Sequence, residues 1–434
     1  MKLTNILITG HTSAVLLSAD PTVHRSPSTN TLYKTKVFRE FIVNLKQALM
    51  AYAFNIFGIA AGSVVAYFLG VFQMFPWAFI IYPPILSARG VIGGLFCGRL
   101  STGLHLGIIK PSFRKNTKSF NLLFHAIVAL TFETSMFMGT VAAIIFIGSK
   151  GAFIPELFFN ILVVIISTMA LSLLVISPLA IVTSFLSFKH GLDPDIILYP
   201  VESTISDFII TLLYIGVLNI FSFDNSIGKY LLLLISLVLF FSTTYLVIKD
   251  FREEEFVKTI KESLLTMIIV SLIINVAGST FGKIAEKVEE RREIYTVYPA
   301  LIDTIGDVGA VVGSTATTKL ALGTLKPSFS SIKHHYLEIS SVWAASLIMY
   351  CIYSALSLII QGVFTITSFL RFTILLLSAN FIAASSIIMI SYTIAIITYK
   401  KGFDPDNFEI PIESSLADSI TSIALLISLI IIGY

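Results

Sequence analysis

DPDIILYPVESTISD, residues 193–207, returns as DPDNFEIPIESSLAD, residues 404–418. Each copy opens with Asp-Pro-Asp at the mouth of an apolar segment and continues to a proline, Pro200 or Pro411. Glu-Ser follows (Glu202-Ser203, Glu413-Ser414), and each copy ends on an aspartate among apolar neighbours, Asp207 or Asp418. Asp195 and Asp207 are 12 positions apart, which is about 18 Å along a helix. The hydrocarbon core of a bilayer is about 30 Å thick, so both aspartates are expected near its middle. A carboxylate there costs about 2.5–3.5 kcal/mol even on the mildest insertion scale. A chain that places this charge twice, in matching context, is expected to use it.

Composition supports a membrane setting. The 434 residues are 56% hydrophobic and 13% charged, and the mean hydropathy is +0.89. A soluble chain carries about twice that charged fraction, so a polytopic, all-α membrane protein is expected. The net charge of +3 points to no particular partner, and nothing suggests nucleic acid. Soluble partners are not legible. Cys97 and Cys351 both lie in apolar segments and read as small core residues rather than a disulfide or metal pair. Residues 1–36 are Ser/Thr-rich and read as a mobile cytoplasmic tail.

Apolar runs long enough to span give eleven expected helices, at 42–72, 76–106, 121–148, 155–187, 196–221, 229–248, 263–282, 296–320, 337–361, 366–398 and 407–433. Pro83-Pro84 and Pro299 are expected to break their helices, because proline removes a backbone donor and clashes with the preceding turn. Basic residues at Lys110, Arg114, Lys115 and Lys118, at Lys326 and Lys333, and at Lys400 and Lys401 fall in loops on one side. The positive-inside rule then puts the N-terminus in the cytoplasm and the C-terminus outside.

The halves resemble one another. IYPPILSARGVIGG (81–94) aligns with VYPALIDTIGDVGA (297–310) at an offset of 216, and LHLGIIKPSF (104–113) meets LALGTLKPSF (320–329) at the same offset. The Asp-Pro-Asp stretches align at an offset of 211. Five spans per repeat would leave a directly fused second copy upside down, and the unmatched helix at 229–248 corrects this. The expected organisation is a first repeat at 37–222, a linker helix at 223–250 and a second repeat at 251–434. The two five-helix repeats would be parallel, related by an axis along the membrane normal, as a pseudo-dimer. Inverted repeats are the alternative.

The polar groups inside the spans are candidate ligands. Asp303 and Asp307 are four residues apart, hence on one helix face. Gly306 and Gly309 flank Asp307 and would let a backbone or a hydrated ion come close. Oxygen ligands without His or Cys suit Mg²⁺, Ca²⁺ or Mn²⁺, and Mg²⁺ sheds water reluctantly, so a few carboxylates could hold it largely hydrated. Glu202 and Glu413 are further candidate ligands, and Ser203 and Ser414 stand one turn before the aspartates as supporting groups. The first repeat carries Ser87 and Val91 where the second has Asp303 and Asp307, with Arg89 between them. Arg89 is expected to turn away from the cation path, towards Glu133. Gly58 and Gly62, and likewise Gly90, Gly94 and Gly98, form small-residue ladders expected to pack helices.

These residues resemble the MgtE magnesium transporters and, more closely, the solute carrier family 41 proteins. SARGVIGGLFCGRLSTGLHLG (87–107) is similar to that family's first-repeat signature, including Arg89-Gly90 and the run from Arg99 to Thr102. Gly306-Asp307 is similar to the Gly-Asn of the second repeat, and Asp-Pro-Asp followed by Pro and then Asp resembles the last pore helix of each repeat. The resemblance spans about residues 37–434. It implies a divalent-cation permease, chiefly for Mg²⁺, with no cofactor beyond the transported ion. It also implies that the last-helix aspartate which holds the ion maps onto Asp207 and Asp418. Three departures stand out. Val91 replaces the family's Asn, Glu202 and Glu413 replace apolar positions, and the cytoplasmic sensing domains of bacterial MgtE have no counterpart in these residues.

Other functions stay open on sequence. The same carboxylates would serve a carrier for another cation or a Na⁺-coupled exchanger. An intramembrane aspartyl protease would use two mid-membrane aspartates as a dyad, although the Asp-bearing stretches here are duplicated as matched pairs. A non-transport sensor or scaffold is a further alternative.

Overall fold

The computed structural model describes the backbone of residues 27–113, 115–151, 153–190, 194–223, 226–401 and 405–433. The side chains of 27–34, 36, 194–204 and 405–411 lie outside the description. The described chain is helical, with no strand. Helix α1 (Pro27–Tyr52) runs through a 3₁₀ turn (Ala53–Asn55) into α2 (Ile56–Tyr67), and a short α3 (Leu69–Met74) follows. Then come α4 (Trp77–His105), α5 (Lys118–Ser149), α6 (Pro155–Lys189), α7 (Pro194–Ser222) and α8 (Ile227–Asp250). The second half has α9 (Glu254–Val288), α10 (Arg292–Ala321), α11 (Tyr336–Ile360), α12 (Ile366–Lys401) and α13 (Pro405–Ile432). Helix α1 begins inside the stretch expected to be a tail; residues 1–26 lie outside the described residues. Neither cysteine forms a disulfide.

Among the described residues, ten helical segments are long and apolar enough to cross a membrane, which makes this a multi-pass membrane protein. Helix α10 is the expected eighth helix, but it is not one of the ten. Its reason is chemical. Arg292, Glu293, Asp303, Asp307 and Lys319 lower its hydropathy, and it tolerates them because it packs on α2, α11, α12 and α13.

The packing partners come in corresponding pairs. Helix α4 packs on α9, and α10 on α2. Helix α5 packs on α9, and α11 on α1; α7 packs on α2, and α13 on α9. Helices α6 and α7 pair as α12 and α13 do, while α8 lies against α5, α6 and α7.

The prolines do not break their helices. Pro83 and Pro84 lie inside α4, and Pro299 lies inside α10. Each should free the carbonyl four residues earlier: Phe79 and Ile80 in α4, Tyr295 in α10. Glycines of the crossing helices cover two of these carbonyls. A Cβ on Gly278 would stand 2.0 Å from the Ile80 oxygen, and one on Gly62 would stand 2.5 Å from the Tyr295 oxygen and 2.2 Å from that of Thr296. With hydrogen in place of Cβ, the glycine Cα approaches as a weak donor, and the proline-bearing helices continue. Gly62 and Gly278, like Ile80 and Thr296, are 216 positions apart.

The ladders divide. Gly58 packs as expected, since its Cβ would lie 2.8 Å from the Ala300 nitrogen. Gly90 and Gly98 are exposed, with nothing within 4 Å of a Cβ, so these two serve no helix contact. Gly62→Ala should therefore destabilise the protein by at least about 1–3 kcal/mol, the usual cost of overpacking. Gly98→Ala should be neutral or stabilising by up to about 1 kcal/mol through helix propensity. Thermal unfolding of the two variants in detergent checks this contrast; equal stability would contradict the close α2–α10 contact.

Candidate functional site

The repeated stretches end at matching places. Asp207 and Asp418 each stand 13 positions past the first residue of their helices, near the midpoints of α7 and α13. Asp303 and Asp307 occupy the middle of α10. Tertiary packing brings these four together. Asp303 lies within Coulombic reach of Asp207, Asp307 and Asp418, and Asp418 within reach of Asp207. The halves interleave here. Asp207 of α7 faces Asp303 of α10, whereas Asp418 of α13 lies beside Ser87 of α4, whose hydroxyl falls short of hydrogen-bonding geometry.

Below each last-helix aspartate sits the same clamp. Thr211 Oγ1 donates to the Asp207 carbonyl (2.7 Å) and lies 3.0 Å from the Tyr82 hydroxyl. Ser422 Oγ donates to the Asp418 carbonyl (2.7 Å) and lies 2.7 Å from the Tyr298 hydroxyl. One proton per hydroxyl then makes each tyrosine the donor to its Thr or Ser. The two tyrosines are 216 positions apart. They flank Phe281, with ring centroids 6.1 Å from Tyr82 and 4.1 Å from Tyr298. These rings are buried and close the site towards the ends where α4 and α10 begin.

Towards the opposite end the site opens. On α10 every residue from 293 to 302 is buried, then Asp303, Gly306 and Asp307 are half-buried and Ala310 and Ser314 exposed. This spacing is one helix face. On α4 the corresponding face is Gly90, Gly94, Gly98 and Thr102, all exposed or half-buried. The aspartates thus sit where the α10 face passes from buried to accessible residues.

Two sequence expectations fail here. Arg89 does not turn to Glu133: its Nη1 lies 3.8 Å from Asp207 Oδ1, and no ion pair joins it to Glu133 among the described residues. A buried guanidinium is stabilised by a nearby carboxylate, and the α4 register brings position 89 to Asp207 of α7. Gly309 also leaves no open approach. A Cβ there would stand 2.5 Å from Glu413 Oε1 and 2.9 Å from Ser391 Oγ, so these side chains fill the glycine's bare face. Glu413 is 2% exposed and accepts a hydrogen bond from Ser391, between α10, α12 and α13. Gly306 is more open, with Ala417 Cβ at 4.0 Å. Ser414 is half-buried, one turn before Asp418. Glu202 and Ser203 lie outside the described side chains.

The sequence reading missed Asn55. From the 3₁₀ turn its Nδ2 donates to Asp307 Oδ2 (2.7 Å) and Thr304 Oγ1 (3.2 Å). Thr304 meets the Tyr353 hydroxyl at 2.9 Å. The available signal was an asparagine inside an apolar span. Among the described residues no three His, Cys, Asp or Glu converge as a cage for a bare ion. Oxygen groups that do not converge so closely instead suit an ion that keeps water, as Mg²⁺ does.

Comparison with known families agrees with this chemistry. The profile of the MgtE family, described as divalent cation transporter, matches residues 82–217 and 298–428. The chain belongs to the MgtE family. MgtE proteins are transporters, not enzymes, so the protease alternative gains no support. The two matched stretches begin 216 positions apart, the offset of the internal repeat. No curated protein and no solved structure matches the chain.

Asn55→Ala should lower stability by about 1 kcal/mol, because it removes a hydrogen bond to a half-buried carboxylate. In a double-mutant cycle with Asp307→Ala the losses should be less than additive. Thermal melts of the four proteins measure this, and strict additivity would show that the two side chains are uncoupled.

Proposed function

We propose that this MgtE-family protein moves Mg²⁺ as its chief divalent cation, along a path between two parallel five-helix repeats. The repeats are residues 37–222 and 251–434, joined by a linker helix within 223–250. The reciprocal packing pairs of the two halves support this organisation, as does the unmatched position of α8. An eleventh crossing helix, α10, is accounted for by its enclosure within the protein. The N-terminus lies in the cytoplasm and the C-terminus outside, by the distribution of basic loop residues.

The observation that carries the reading is that Asp303 lies within Coulombic reach of Asp207, Asp307 and Asp418, at mid-helix positions of α7, α10 and α13. Like charges so placed repel one another in a medium of low dielectric. A divalent cation offsets that repulsion, and retained water bridges it to carboxylates too far apart to bind it directly. Asp418, Asp303 and Asp307 are the principal ligands. Asp207 completes the ring, Ser414 supports it, and Glu202 with Ser203 provides the first-repeat counterpart of Glu413 and Ser414. Glu413 acts through its contact with Ser391 and Gly309, which fixes α13 against α10.

Uptake by liposomes containing the purified chain, with Mg²⁺, Ca²⁺, Mn²⁺ and Na⁺ gradients compared, tests this function. Mg²⁺ should be taken up, and Asp418→Asn or Asp303→Asn should reduce uptake by more than about tenfold, since each removes charge from a desolvated cluster. Undiminished Mg²⁺ uptake by the double variant would refute the site.

A further inference from the structure

We propose that Arg89 is the resident counter-cation of Asp207 and sets the preference for divalent over monovalent ions. This rests on the cation-site reading above. Without an ion, the guanidinium occupies the first-repeat side of the site. A divalent cation binds against Asp418 and Asp303 and engages Asp207 only as Arg89 yields.

The geometry has three parts. First, the guanidinium is at the carboxylate: Arg89 Nη1 and Asp207 Oδ1 are 3.8 Å apart, and the side chains are 4% and 11% exposed. Second, the charge is one-sided. The residue 216 positions on from Arg89 is Ile305, buried in α10, so α10 supplies two carboxylates and no guanidinium. Third, the side chain has somewhere to go. Arg89 lines a cavity of about 30 Å³ whose described walls come from α4, α5 and α6, with the hydroxyls of Thr131, Ser172 and Ser177 among them. That space holds about two water molecules.

Selectivity follows from charge. Arginine does not lose its proton in proteins, so Asp207 always faces one positive charge. A monovalent ion exchanging with it gains no Coulombic advantage, because one unit charge replaces another while the ion gives up hydration. A divalent ion doubles the interaction with every carboxylate in reach. The 3.8 Å contact is longer than the close, paired contacts of a bidentate arginine–carboxylate fork, as suits a pair that opens.

The test is calorimetric titration of the purified full-length chain in detergent with Mg²⁺ and with Na⁺ as competitor. Arg89→Gln should raise Mg²⁺ affinity about tenfold and make Na⁺ a better competitor, a coupling in the range for contacting groups. Asp207→Asn should cost more Mg²⁺ affinity in the Arg89→Gln background than in the wild type, while Asp418→Asn should cost the same in both. Unchanged affinity in Arg89→Gln, or an equal loss from Asp207→Asn in both backgrounds, overturns the proposal. If Arg89→Gln does not fold, the Arg89-containing protein decides. There Asp207→Asn should weaken binding much less than Asp418→Asn, and equal losses overturn the proposal while leaving the cation site standing. A wild type that binds no Mg²⁺, with Asp418→Asn indistinguishable from it, overturns both.

Discussion

Four carboxylates lie near the midpoints of three helices, and a membrane protein can keep them there only if each is met by solvent, a hydrogen-bond donor or a positive charge. The structure uses all three. Asp303 and Asp307 are only half-buried, Asp307 also receives the Asn55 amide, and Asp207 faces Arg89. Asp418 neighbours Ser87, and its backbone is held by Ser422 and Tyr298. The two last-helix aspartates share the same clamp but have different countercharges, so the halves are alike in scaffold and unlike in electrostatics.

Holding those charges inside protein requires α4 and α10 to be wrapped by other helices. The close crossings that achieve this depend on bare backbone. Gly62 and Gly278 let α2 and α9 approach carbonyls freed by Pro299 and Pro84. Proline and glycine, each unfavourable alone in a helix, act here as complementary halves of one contact. The same wrapping explains why α10 can carry two carboxylates at its middle: it packs on α2, α11, α12 and α13.

The crossing is also an exchange. The first helix of each half lies on the second helix of the other, as α2 on α10 and α9 on α4. Neither half encloses its own central helix, so each one's buried charges depend on the other being present. Asn55 reaching Asp307 is this dependence at the scale of a single hydrogen bond.

The sequence by itself determined the membrane class, the helical segments, the internal repeat and the mid-helix placement of Asp207, Asp418, Asp303 and Asp307. These follow from hydropathy, spacing and rise per residue, which act along a single helix. Helix continuity through Pro83, Pro84 and Pro299, the use of Gly309 by Glu413 and Ser391, the open face at Gly90 and Gly98, and the partners of Arg89 and Asp307 were decided only by tertiary structure. Each depends on which residue of a distant helix arrives at a given height and angle. A proline reads as a break until a glycine on another helix covers the carbonyl it frees. An arginine within a span has no direction until packing sets a carboxylate beside it.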